Sequence, residues 1–365
     1  KKRRIYMKNE KTRLALCIFG RVMAALGVTL LLLVLFLYSA MILVVRGPSE
    51  SAKELFVLSL KETSVGGILV NMCMTQNEIE EMLSVKQNVT DMELLGGEMT
   101  DPSKITINAN KNDASNNDNN DSSHQGDDVT ENNSTDNSGI ETVEIKTDTY
   151  KGMLMIVEDP TRVFVGVPDS YGENSVGLSL RDMIRKYDAV AGVNGGGFYD
   201  PDGTQKGGIP KGMVIKDSKI LWGDDGKKYS ICGFDRNGIL YVGSMTAQDA
   251  ISKGVVDAVS FGPALIINEN PVNADYYLGV SRNPRTAIAQ RADGAILLLV
   301  IEGRSLSSFG ATFDDLIEIF LQYGAVNATN LDGGYSSLMV YNGGNLTMNS
   351  YAYGERILPN SILVK

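Results

Sequence analysis

The 365 residues carry a formal net charge of −10, which argues against sequence-independent nucleic-acid binding, since that needs a basic surface to neutralise phosphates. Cys17, Cys73 and Cys232 have no metal-type spacing, and their different settings disfavour a Cys73–Cys232 disulfide. The single histidine, His124, sits in an Asn/Asp/Ser-rich tract, which removes Ser-His-Asp and Cys-His catalysis, the usual His-containing zinc sites and His-based proton shuttling. What remains at neutral pH is carboxylate chemistry supported by Arg, Lys and Asn.

The chain opens on Lys rather than Met, so a short stretch is expected to precede it. Residues 1–21 form a basic tail, and Val22 to Val45 is an apolar run of 24 residues. As a helix it extends about 36 Å, enough to cross a hydrocarbon core of about 30 Å. Lys1, Lys2, Arg3, Arg4, Lys8, Lys11, Arg13 and Arg21 precede it, against Arg46 and Lys53 beyond. The positive-inside rule therefore predicts a single-pass cell-membrane protein with a cytoplasmic N-terminus and an extracellular C-terminal domain. A cleaved signal peptide is the rival reading, but its apolar region is usually about 7–15 residues and ends in small residues.

Residues 46–95 read as a juxtamembrane stem, with Thr75 and Glu78 forming a capping box ahead of Ile79, Met82 and Leu83. Residues 96–140 are dominated by Asn, Asp, Ser and Thr. Such a composition cannot offset ordering entropy, so a disordered linker is expected there.

Residues 141–365 have a globular composition and a length that suits one domain. Strands are predicted at Leu154–Val157, Val163–Val167, Ala189–Val193, Gly212–Ile215, Ile239–Val242, Ala264–Ile267, Thr286–Gln290, Ala295–Ile301 and Ser361–Val364. Ser179, Thr246 and Thr312 are suited to cap helices over Leu180–Lys186, Ala247–Lys253 and Phe313–Tyr323. In the last of these, Phe313, Leu316, Ile317, Phe320 and Leu321 share a face. The fold class is α+β: one mixed-sheet domain with a few packed helices.

Two nucleotide motifs are absent: there is no Gly-x-x-x-x-Gly-Lys-Ser/Thr loop, and Gly195-Gly196-Gly197 leads into Phe-Tyr-Asp-Pro without the Gly-x-Gly-x-x-Gly spacing. Asp200-Pro-Asp202-Gly lacks the further acidic ligands of a calcium loop and reads as a turn. Four segments place functional groups at predicted strand ends, where ligand-facing loops collect. They are Asn194-Gly-Gly196-Gly-Phe198, Arg282-Asn-Pro-Arg285-Thr, Glu302-Gly-Arg304, and Asn330-Leu-Asp332-Gly333-Gly334-Tyr-Ser336-Ser337. The plainer alternatives are a glycine-rich turn, a surface arginine, an exposed ion pair and an Asp-Gly turn.

These segments, with Gly310-Ala-Thr-Phe-Asp-Asp-Leu316 and Glu355-Arg356-Ile-Leu-Pro-Asn360, follow one another in an order that resembles phosphodiester glycosidase domains, a family with bacterial exopolysaccharide-related members. The resemblance covers roughly residues 141–365; Glu302 stands where Asp is common, and Tyr335 where a small residue is usual. It implies cleavage between an anomeric carbon and a phosphodiester oxygen, releasing sugar and leaving a phosphomonoester. Asp332 would be the principal carboxylate and Glu302 its acid/base partner. Arg285, Arg304 and Arg356 would bind phosphate, and Asn194, Ser336, Ser337 and Asn360 would bind sugar hydroxyls. Gly196, Gly333 and Gly334 would let backbone approach the substrate. The implied partners are a glycan or sugar-phosphate polymer and, through the N-terminal helix, the lipid bilayer. No cofactor or metal is specified. A catalytically silent glycan-binding or envelope polysaccharide assembly module, and a metal-dependent phosphodiesterase with Asp332 as ligand, are the competing readings.

Overall fold

Six consecutive apolar residues, Ile296 to Ile301, suit a strand with both faces covered, and in the computed structural model all six are buried in one strand. The structure describes residues 2–47, 53, 70, 72–75, 78, 99–107, 133–135, 138–200, 206–223, 225–272, 282–305, 307–349 and 354–365. They fall in two compact units, Lys1–Leu83 and Ser84–Lys365.

In the first unit one helix, α1 (Lys2–Arg46), contains a segment, Ile18–Arg46, long and apolar enough to cross a membrane. Near its C-terminal end Val45 is buried with Val70, Cys73 and Met74, and Arg46 Nη1 donates to Glu78 Oε1 at 2.6 Å. The predicted capping box is present: Thr75 N donates to Glu78 Oε2 at 2.8 Å, and Glu78 N to Thr75 Oγ1 at 3.3 Å. Ile79, Met82 and Leu83 of the expected stem, and His124, lie outside the described residues.

The second unit has three sheets whose strand pairings are antiparallel throughout the described residues. The largest runs β1 (Asn133–Thr135), β2 (Ile140–Lys146), β3 (Lys151–Val157), β14 (Ile296–Ile301), β13 (Arg285–Arg291), β15 (Ala325–Leu331), β11 (Ala264–Ile267), β12 (Asn270–Pro271). A second sheet runs β7 (Lys219–Trp222), β6 (Val214–Lys216), β10 (Val255–Ser260), β8 (Tyr229–Asp235), β9 (Leu240–Met245). The third runs β17 (Gly344–Asn345), β16 (Met339–Tyr341), β5 (Ala191–Asn194), β18 (Ser361–Val364), β4 (Val163–Gly166).

Strand pleat sorts the apolar residues between two layers. Ile296, Leu298 and Val300 join a core shared with Val193, Ile362, Val214 and Val259 from the two smaller sheets. Leu297, Leu299 and Ile301 face the other way, packing with Phe313, Leu316 and Phe320 of α4 (Phe313–Gln322). Among the described residues the domain's α-helices, α2 (Leu180–Tyr187), α3 (Ala247–Ser252) and α4, carry the expected Ser179, Thr246 and Thr312 caps. Leu321 is exposed and Ile319 takes its place in the core, because α4 is covered on a wider arc than its i, i+3, i+4 stripe.

The linker expectation needs correction at both ends. Residues 99–107, assigned to it by composition, are docked on the domain: Thr100 Oγ1 donates to Leu240 O at 3.1 Å and accepts from Val242 N at 2.9 Å. Lys104 pairs with Glu269 at 2.6 Å, and Ile105 is buried with Met213 and Val326. At the other end Asn133–Thr135 pairs with β2. Polar composition concealed this because the docking rests on hydrogen bonds to residues some 140 positions away. Residues 108–132 lie outside the described residues.

Ile105→Ala is expected to cost about 2–4 kcal/mol, the usual range for a buried Ile-to-Ala truncation. Thermal denaturation of the full chain in detergent measures it, and an unchanged melting point would mean that residues 99–107 contribute no packing energy.

Candidate active site

Strand register collects the expected residues at one pole of the domain. Arg285 opens β13 opposite Ile301, the last residue of β14, so Glu302 and Arg304 follow at the same end. Thr286 lies opposite Leu331, which delivers Asp332 there, and Ser361 lies opposite Asn194, which brings Asn360 alongside.

Asn194, fully buried at the end of β5, joins these ends. Its Oδ1 accepts from Thr286 Oγ1 at 2.8 Å and from Leu338 N at 3.3 Å, while its Nδ2 donates to Asp332 O. Asp332 N donates to Gly195 O at 3.0 Å. The Asn194 amide is therefore engaged internally, where it holds the Asp332 turn. Asn360 is likewise turned inward: its Oδ1 accepts from Gly196 N at 2.6 Å, and the neighbouring Pro359 O accepts from the Tyr171 hydroxyl at 2.8 Å.

The glycines are required first by the chain's own packing. A Cβ at Gly195 would lie 2.3 Å from Asn360 Oδ1, one at Gly196 would lie 2.6 Å from Ser260 O, and one at Gly333 would lie 2.9 Å from Pro284 O. Gly334 also has φ +60°, a left-handed conformation that a side chain disfavours.

Asp332 is partly accessible at this pole yet ringed by protein. Burial raises its pKa to about 6, against the opposing pulls of the Ser336 hydroxyl, the Lys211 charge and the Gly333 N–H. Gly333 N lies 3.1 Å from Asp332 Oδ1. The neighbouring Ser337 hydroxyl is buried without a hydrogen-bond partner among the described residues.

The basic residues divide. Arg304 lies over the Tyr335 ring at 4.5 Å and beside Gly334, where a Cβ would sit 3.4 Å from its Nη2. The bulky Tyr335 thus supports an arginine at the mouth of the Asp332 turn. Arg285 instead packs on Phe313 at 4.4 Å and donates from Nε to Ala311 O at 3.1 Å. Strand alternation puts it on the α4 face, opposite Thr286. Arg356 is buried, ion-paired with Asp200 and laid over Phe198 at 5.2 Å; burial lowers its pKa, and a guanidinium stays charged regardless. Both Arg285 and Arg356 thus have partners within the domain.

Glu302 accepts from Met348 N at 2.7 Å through Oε1, and Oε2 lies 3.1 Å from Lys151 Nζ. Among the described residues none of its hydrogen bonds or ion pairs joins it to Asp332. In the ligand-free structure Glu302 is thus paired with Lys151 and the Met348 amide. Lys211 was missed by the sequence reading. Its only signal was position, in a turn whose Pro210 bridges to Phe198 beside the glycine run.

The family model for phosphodiester glycosidase matches residues 187–365. The SPbeta prophage-derived uncharacterized protein YomE of Bacillus subtilis (strain 168) is 31% identical over 188 residues, covering 49% of this chain and 27% of that protein. The N-acetylglucosamine-1-phosphodiester alpha-N-acetylglucosaminidase of Mus musculus is 25% identical over 221 residues, covering 55% of this chain and 41% of that protein. The chain thus spans less than half the length of either relative. Among solved structures, the auto-inhibited catalytic domain of the zebrafish N-acetylglucosamine-1-phosphodiester alpha-N-acetylglucosaminidase aligns with a TM-score of 0.49 and 19% identity, over 65% of this chain and 82% of that one.

Every residue gathered around Asp332 lies inside the phosphodiester glycosidase match, Lys211 included. The match begins at the last residue of α2, whereas β2, β3 and β4, which precede it, belong to the same sheets.

The raised Asp332 pKa has a stability consequence of definite sign. The folded state holds the proton up to pH about 6, whereas the unfolded chain releases it near pH 3.8, so stability falls as pH rises through that window and stays lower above it. Asp332→Asn is therefore expected to stabilise the chain at pH 8 by up to about 3 kcal/mol and to leave it unchanged near pH 3. Thermal denaturation at the two pH values reads the difference, and a destabilised variant at pH 8 would contradict the electrostatics described.

Proposed function

We propose that this protein is a membrane-anchored extracytoplasmic glycosidase that cleaves sugar-1-phosphodiester linkages in cell-envelope or exopolysaccharide glycans. The observation that carries the reading is Asp332, held by its backbone between Asn194 and Gly195 and poised to titrate at about 6 within the phosphodiester glycosidase match. Water attacks the anomeric carbon, the bond from that carbon to the phosphodiester oxygen breaks, and the phosphomonoester departs with the bonding electrons. Above its pKa the Asp332 carboxylate takes the proton from the attacking water and faces the positive charge that develops on the sugar. Phosphate is a good leaving group, so the scheme does not need a second strong acid. That accords with a Glu302 carboxylate already engaged by Lys151 and the Met348 amide.

The membrane part of the proposal rests on the span Ile18–Arg46 and on the excess of Lys and Arg before it. By the positive-inside rule that bias supports an orientation with the C-terminal domain outside the cell, where polymeric glycans are accessible substrates.

Oxygen-18 water tests the bond cleaved. The label is expected in the released sugar, and label in the phosphate would reject glycosidase chemistry in favour of a phosphodiesterase. Asp332→Asn, nearly isosteric, is expected to lower kcat by about 10²–10⁴-fold. The wild-type rate should rise through pH about 6 as Asp332 ionises. An undiminished rate in that variant would remove Asp332 from the mechanism. Polymer binding by a wild type inactive on a panel of α-sugar phosphodiesters would point to a glycan-binding module.

A further inference from the structure

Lys211 is a cation whose place in the fold no part of the preceding scheme uses. Its backbone N donates to Gly197 O at 2.9 Å, and the adjacent Pro210 bridges to Phe198. A Cβ at Gly197 would lie 3.8 Å from Lys211 Cδ, so the aliphatic stem runs beside the glycine run. Two residues earlier in that run, Gly195 O accepts the Asp332 amide. The exposed Lys211 side chain and the Asp332 carboxylate therefore flank the same three glycines, and the ammonium is close enough for its charge to act on that carboxylate.

No ion pair holds the Lys211 ammonium among the described residues. The other cations of this pole are committed elsewhere: Arg285 to Phe313 and Ala311 O, Arg356 to Asp200 and Phe198. Lysine suits a mobile anion better than a fixed one, being a point charge with three donors on a flexible stem.

We propose that Lys211 is the principal anion-recognising residue of this site, gripping the phosphate of a sugar-1-phosphodiester from the glycine-run side while Arg304 faces it from the Tyr335 side. The substrate half of this assignment rests on the glycosidase reading; the anion half stands on the geometry of Lys211 alone. Holding the phosphate beside Gly197 leaves the anomeric carbon directed toward Asp332, so the same ammonium positions the leaving group and screens it from the carboxylate.

Inorganic phosphate is the probe, titrated calorimetrically into the full chain in detergent, with Lys211→Met and Lys211→Arg as variants. Lys211 is exposed, so both are expected to fold as the wild type does. Lys211→Met should weaken phosphate binding by at least about tenfold, and Lys211→Arg should restore most of it. On a sugar-1-phosphodiester, Lys211→Met should raise KM and move the acidic limb of the pH profile upward, because removing a positive charge makes Asp332 harder to ionise. A purely structural lysine would not move that limb. Phosphate binding unchanged in Lys211→Met, or absent from the wild type, overturns the proposal. Lys211-dependent phosphate binding by a wild type that turns over no sugar phosphodiester would uphold Lys211 and reject the glycosidase reading.

Discussion

The amide of Asn194 is the contact on which the organisation of the site depends. One side chain ends β5, accepts from the Thr286 hydroxyl on β13 and from the Leu338 amide, and donates to the Asp332 carbonyl beyond β15. These strands belong to two different sheets, so the amide closes the seam between them at the pole where Asp332 emerges. A buried amide with its donors and acceptors satisfied fixes geometry at little net cost, whereas a missing partner would expose the full desolvation penalty of the groups left behind. Asn194 therefore holds the peptide of Asp332 in place.

The glycines of Asn194-Gly-Gly-Gly and Asp332-Gly-Gly follow from the same closeness. With the seam drawn tight, Gly195, Gly196 and Gly333 meet the chain at distances that leave no room for a Cβ. Having no side chain lets these glycines lie against Asn360, Ser260 and Pro284, and burial raises the Asp332 pKa. A ligand then meets a preorganised wall of side chains from the neighbouring segments, Arg304 on Tyr335 and Lys211 beside Gly197. A phosphodiester brought close to Asp332 adds a second negative charge. At about 5 Å and an effective dielectric near 20, the repulsion is about 3 kcal/mol, a penalty that an adjacent ammonium or guanidinium offsets.

Much of this was legible in the sequence where the signal is local. The Ser179, Thr246 and Thr312 caps mark helix starts within the chain's own next three residues, and the apolar run Ala295–Ile301 identified the doubly covered strand β14. The position of Asp332 was legible for the same reason, as an acid followed by two glycines directly after a buried run. Roles were less legible than positions. Arg285 and Thr286 are neighbours in sequence but face opposite layers, and only knowledge of which layer holds the helix separates the arginine from the site. Glu302 and Asn360 were found at the right pole yet bond to partners, Lys151 and Gly196, that lie about 150 and 164 residues away. Lys211, an exposed lysine in a turn, carries no periodicity at all; its meaning comes from the Gly197 contact alone.

The low-complexity tract shows the same limit of composition from another side. Residues 99–107 dock on Leu240, Val242 and Asn268, and β1 pairs with β2, so residues 108–132 connect two segments of one domain. Ile107 approaches Gly294 in the turn between β13 and β14, at the far end of those strands from Arg285 and Glu302, whereas Asn133 lies opposite Val143 of β2. Both flanks of a tract read as linker by composition therefore join the domain, because backbone pairing and the single buried Ile105 suffice where apolar patterning is absent.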